Sequence, residues 1–173
     1  IQVDCTLNNK EYINKKGVKD FLNKIKYPLY FLDFETMKDA IPKYKGAKPY
    51  QQITFQYSLH YIEKEGGELK HKGYLAPSDG SDPRKDLAKE LCNGIPLDAC
   101  IMAYNDPFEK GRIKEMAEVF PELSDHLMNI HDNIIDLLIP FRQGNYYNSA
   151  MSGSFSIKSV LPALFPDDSE LNY

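Results

Sequence analysis

Cysteine is scarce in this chain of 173 residues, with Cys5, Cys92 and Cys100 the only three. They lie far apart, are odd in number and form no Cys-x-x-Cys pair, which argues against a disulfide or zinc framework and for thiols in a reducing cytoplasm. Histidine is nearly as sparse, and His60, His71, His126 and His131 have no zinc-ligand spacing. No run approaches the roughly 20 apolar residues of a membrane helix. The longest such stretch, Ile134 to Phe141, is broken by Asp136 and Pro140. The first residues do not read as a secretory signal. Gly153-Ser154 lacks the Gly-x-Ser-x-Gly frame of a nucleophile elbow, and no glycine loop has the pattern that cradles phosphates or dinucleotides.

What remains is an ordinary globular composition, 42% hydrophobic and 27% charged, with 12 Tyr and 9 Phe to fill a core. Twenty-one basic residues against 25 acidic ones leave a net charge of −4, so bulk attraction to nucleic acid or to an anionic membrane is not expected. Any basic surface must be local. The chain begins at Ile1 and stops at Tyr173 with no closing periodic element, which leads us to expect a piece of a longer protein.

Apolar spacing divides the chain into elements. Val18, Phe21, Leu22 and Ile25 stand at helical intervals, and Pro28 closes that segment. Leu29 to Phe34 reads as a strand buried on both faces, and the stretch holding Pro42, Gly46 and Pro49 reads as a loop. Ile53–Glu63 and Glu68–Leu75 flank Gly66-Gly67 as a hairpin. Helices then open at Asp82-Pro83, Asp106-Pro107 and Pro121, with strands at Ala99–Ala103 and Ile134–Leu138, and a last helix at Ser156–Leu164. Three antiparallel strands followed by alternating helices and strands predict an α/β mixed sheet covered by helices.

Two stretches carry the chemistry. In Tyr30-Phe31-Leu32-Asp33-Phe34-Glu35-Thr36 the strand period of two puts Asp33 and Glu35 on one face. Two neighbouring carboxylates at the end of an apolar strand repel each other unless a divalent cation lies between them, and hard oxygen donors suit Mg²⁺ or Mn²⁺. The same pair also fits a solvated start of the following loop. In Ala103-Tyr104-Asn105-Asp106-Pro107-Phe108-Glu109 a strand end is followed by an acid on the first helical turn, where it can face back to the strand tips. Asn105 to Glu109 equally fits turn and capping chemistry.

Asp33-Phe34-Glu35-Thr36 resembles the Asp-x-Glu-Thr motif of the DEDD superfamily of 3′-to-5′ exonucleases, which have the ribonuclease H-like fold. Asn105-Asp106-Pro107-Phe108-Glu109 is similar to its Asn-x-x-Phe-Asp motif, with Glu in place of the usual Asp. Ile134-Ile135-Asp136-Leu137 and Ser156-Ile157-Lys158-Ser159-Val160-Leu161 resemble two later landmarks. Phe55-Gln56-Tyr57-Ser58-Leu59-His60 and Gly153-Ser154-Phe155-Ser156 look more narrowly like a bacterial domain-of-unknown-function family within that superfamily.

The resemblance implies a ribonuclease H-like mixed sheet with helices on both faces, over residues 27–173, preceded by a leading linker and helix over 1–26. It implies a two-metal phosphodiester hydrolase in which Asp33, Glu35 and Glu109 hold two Mg²⁺ or Mn²⁺ ions about 4 Å apart. Asp136 is a further candidate acid. Thr36, Gln52, Tyr104, Asn105 and Lys158 would touch a single strand of DNA or RNA. The superfamily's third motif is not where it belongs. His131 to Asp136 fits one form by letter count, but it falls too soon after Glu109 and reads as a loop entering a strand, so we take it as a decoy. The motif is expected beyond Tyr173, which would leave this piece weak or inactive by itself.

Between Lys38 and Gln52, Lys38, Lys43, Lys45 and Lys48 against Asp39 give +3, with Tyr44 and Tyr50 interleaved. That mix suits a single strand through phosphate contact and base stacking, and it equally describes a solvated loop. The competing function is a non-catalytic module that binds nucleic acid or a neighbouring domain of its parent.

Overall fold

The computed structural model describes residues 1–171. In chain order the elements are α1 (Gln2–Leu7), β1 (Glu11–Ile13), α2 (Lys15–Leu22), β2 (Leu29–Met37), β3 (Ile53–Ile62) and β4 (Lys70–Leu75). There follow α3 (Arg84–Gly94), β5 (Cys100–Ala103), α4 (Pro107–Val119), α5 (Ser124–Asp132) and β6 (Ile134–Asp136). The last are α6 (Ile139–Arg142), β7 (Tyr146–Asn148) and α7 (Ile157–Leu164). They form two compact units: residues 26–136, and residues 1–25 together with 137–173. The segment after Asp136 thus groups with the first 25 residues, across the sequence boundary placed at residue 26.

The larger unit holds a five-stranded mixed sheet in the order β4-β3-β2-β5-β6. β2, β3 and β4 are antiparallel neighbours, whereas β5 and β6 run parallel to β2. Antiparallel pairing needs no crossover, and the loops at residues 38–52 and 63–69 suffice, while each parallel step needs a crossover, supplied by α3 and then by α4 and α5. Alternate residues of the central strands, Tyr30, Leu32 and Phe34 with Tyr57 and Leu59, pack against Leu87, Leu91, Ile113, Met116, Leu127 and Ile130 of the three helices. All three helices of this unit therefore cover the same sheet face. The other face carries Asp33, Glu35, Gln56, Ser58, His60 and His71, as the register requires.

In the smaller unit β1 pairs with β7, antiparallel, with Tyr12 opposite Tyr147. Cys5, Tyr147, Met151, Val160 and Ala163 form its core. Sequence periodicity misses α1, β1, α6 and β7 because elements of three to six residues are too short to show a period. Two boundaries differ from expectation. α2 ends at Leu22 instead of running to Ile25, and Leu22 is exposed. β6 stops at Asp136, because Pro140 lacks the N–H a continuing ladder needs and α6 begins in its place. Among the described residues no helix is long and apolar enough to cross a membrane.

Candidate functional site

β2 outruns its parallel neighbour. Only Leu29 to Phe31 pair with β5, so Asp33 and Glu35 stand past the last β5 partner while still pairing with Ser58 and Gln56 of β3. Both carboxylates are exposed on one face, and Phe34 between them is buried on the other, as the strand period dictates. The ladder slips between Glu35 and Thr36, a bulge that turns the last residues of β2.

β5 ends at Ala103, and the chain turns sharply through Asn105 into α4. Asn105 has a φ of 67°, a left-handed conformation that asparagine tolerates better than most residues. Its N–H donates to the Asp136 carboxylate at 2.8 Å, which ties the turn to the tip of β6. Pro107 suits the first helical turn because no N–H partner is required there, and Asp106 pairs with Lys110 at 2.7 Å.

Glu109 follows on that first turn and is only 5% exposed. Burial, together with the charges of Asp33, Asp106 and Asp136, pushes its carboxyl up to about 7, although a backbone hydrogen bond opposes the rise. Its Oε2 is buried with no hydrogen-bond partner. An ionised oxygen cannot rest in such a place without a counter-charge, so it must take up a proton or a cation.

Asp33 and Asp136 therefore both raise the Glu109 carboxyl, which joins the three acids at the same end of the sheet. The donors are acids throughout, with one unpartnered buried oxygen, and in kind they fit a hard divalent cation. They are not drawn together: among the described residues no three His, Cys, Asp or Glu side chains cluster closely enough to hold a metal ion.

Tyr104 and Asn105 lie in the turn beside these acids, and Thr36 lies at the bulge of β2. Gln52 is engaged from α4: Arg112 Nη1 donates to its Oε1. Lys158 is exposed on α7 of the smaller unit. His131 and Asp132 form the last turn of α5 where a loop was expected, because the helical stripe through Leu127 and Ile130 carries that far. Asp136 is buried at the end of β6.

Arg112 is the residue that sequence reasoning missed. It also pairs with Glu115 at 2.5 Å and lies over the Phe108 ring, 5.6 Å from its centre. The available signal was its place three residues after Glu109, on the same helical face.

Residues 30–156 match the model of a domain-of-unknown-function family, DUF2779, over well more than half of the chain. The chain belongs to the DUF2779 family. A similar protein is UU173 of Ureaplasma parvum, 27% identical over 168 residues, covering 91% of this chain and 24% of that protein. Another is MG366 of Mycoplasma genitalium, 28% identical over 157 residues, covering 83% of this chain and 23% of that protein. The MG366 homolog of Mycoplasma pneumoniae is 27% identical over 168 residues, covering 87% and 25%. This DUF2779 chain thus spans about a quarter of the length of these relatives. No solved structure matches it.

Proposed function

We propose that the larger unit is ribonuclease H-like and that the chain is part of a DEDD-type, metal-dependent 3′-to-5′ exonuclease acting on single-stranded DNA or RNA. Glu109 carries this reading: a buried carboxyl oxygen without a partner, at a strand tip shared with Asp33 and Asp136, is suited to a cation better than to any role in folding. The strand order, three antiparallel strands followed by two parallel ones reached through helices, supports the fold.

Asp33, Glu35 and Glu109 would hold Mg²⁺ or Mn²⁺. Such ions, when bound, polarise a phosphodiester and stabilise the charge on the leaving oxygen. The chain's own groups set the frame. Asp136 fixes the Asn105 turn through its N–H, and that turn delivers Glu109 from the first turn of α4. In this reading Tyr104, Asn105 and Thr36 would touch the terminal nucleotide. The free, buried thiols of Cys5, Cys92 and Cys100 support a cytoplasmic setting. The fourfold greater length of the relatives supports further domains, the third motif among them.

One observation favours the competing reading, a binding module without catalysis: the acids are not gathered into a metal-holding cluster. Digestion of 5′-labelled single strands of DNA and of RNA with Mn²⁺ by the full-length protein separates the two. A ladder shortening from the 3′ end, absent in Asp33→Ala, is the expected result. No metal-dependent shortening on either polymer would overturn the exonuclease in favour of the module.

A further inference from the structure

Beside the end of β2 lies a groove of about 700 Å³ that the acidic site does not use. Its floor comes from Met37, Phe55 and Leu75 on β2, β3 and β4. One wall is Lys43 and Tyr44 from the loop after β2, and the other is the stretch from Ala76 to Pro83. Leu75 is 65% exposed, which is unusual for a large apolar side chain on a sheet edge and leaves the floor uncovered. This is the size and make-up of a ligand site: apolar and aromatic surface with a few polar groups at the rim.

We propose that this groove is a stacking subsite for the bases of a single nucleic-acid strand, a proposal that rests on and deepens the exonuclease reading. Three features select that occupant. Tyr44 and Phe55 bring aromatic rings to the lining, and every base has a face on which such rings can stack, so binding needs no sequence.

The wall that carries Tyr44 is the basic one. Lys43 lines the groove there, and Lys38, Lys45 and Lys48 share its loop, with Asp39 the one acid between them. The Lys43–Asp39 pair, at 3.0 Å, is exposed on both sides and holds Lys43 only weakly.

Asp79 and Asp82, in the same stretch as the opposite wall, are not among its lining residues and are already committed. Asp79 accepts from the Ser81 N–H at 2.9 Å and from the Ser81 hydroxyl at 2.6 Å, and Asp82 grips the Arg84 guanidinium at 2.6 Å. The groove thus joins apolar ring surface to a local excess of positive charge in a chain whose net charge is −4.

Position supports the same occupant. Met37 on the groove floor lies four residues beyond Asp33 on one strand, roughly 13 Å at the usual strand rise. A strand with its 3′ end at the acids would lay bases a few nucleotides upstream over the groove.

The test compares a fluorescent 12-mer of thymidylate with an abasic 12-mer of equal charge, by anisotropy, in EDTA so that no cutting occurs. The chain should bind the base-bearing strand about tenfold more tightly, a stacking contribution within the range for one base. Tyr44→Ala and Leu75→Asp, both at groove positions outside the core, should each reduce that preference to near unity with an unchanged melting temperature. Equal affinity for the two strands, no binding of either, or a preference that survives both substitutions would overturn the subsite.

A digestion assay of the full-length protein run alongside separates the two claims. Cutting that proceeds without base preference leaves the exonuclease standing and removes the groove. Base preference without cutting does the reverse.

Discussion

Glu109 is the residue where folding and chemistry conflict most. A carboxyl held at about 7 against an ordinary 4.5 is protonated in the folded chain over a range in which the unfolded chain has lost the proton. Stability must therefore fall as pH rises from about 4.5 to about 7, and stay at the lower level above that. At about 1.4 kcal/mol per unit the loss is at most about 3–4 kcal/mol. Glu109→Gln should match the parent near pH 4 and melt at a higher temperature at pH 8, with a flatter pH profile between, all readable from thermal unfolding. A residue kept at such a cost has a use other than packing. Asn105 makes the same point more mildly, since its left-handed backbone sits exactly where the turn must deliver Glu109.

Among the elements, α4 does two jobs. Its first turn presents Glu109, and one turn later Arg112 and Glu115 hold the end of the lysine loop through Gln52 and Gln51. Arg84 on α3 adds a second tether by donating to the Lys45 carbonyl at 3.3 Å. Hydrogen bonds to charged groups contribute about 1.5–3 kcal/mol each, so Arg112→Met should lower stability by about 2 kcal/mol. It should also speed trypsin cleavage after Lys43 and Lys45, a change that mass spectrometry of the early fragments would show. Unchanged cleavage in the variant would mean that the loop is held elsewhere.

Most of these elements were legible from residue order. The apolar run before Asp33, the proline-opened helices α3 and α4 and the Gly66-Gly67 hairpin all carry strong local signals, and the structure forms each of them. Contacts across the chain were not legible. Arg112 reaching Gln52, and Asp136 accepting the Asn105 N–H, depend on strand register and on a turn conformation that no local pattern encodes.

Over the whole molecule the chain makes two units, and the acids, the lysine loop and the groove all belong to residues 26–136. Asp33, Glu35 and Glu109 sit in elements with strong patterns, β2 and α4, which is why the sequence could place those elements. The smaller unit, assembled from both ends of the chain and from very short elements, gave no comparable signal. The account depends on one property of the larger unit, that its strand-tip acids take up a divalent cation. Titration of Mn²⁺ into the chain at pH 8, followed by electron paramagnetic resonance of the free ion, measures it without reference to any substrate. The account predicts saturable uptake that Asp33→Ala and Glu109→Gln each weaken at least tenfold. Uptake that is absent, or equal in the parent and both variants, would contradict it.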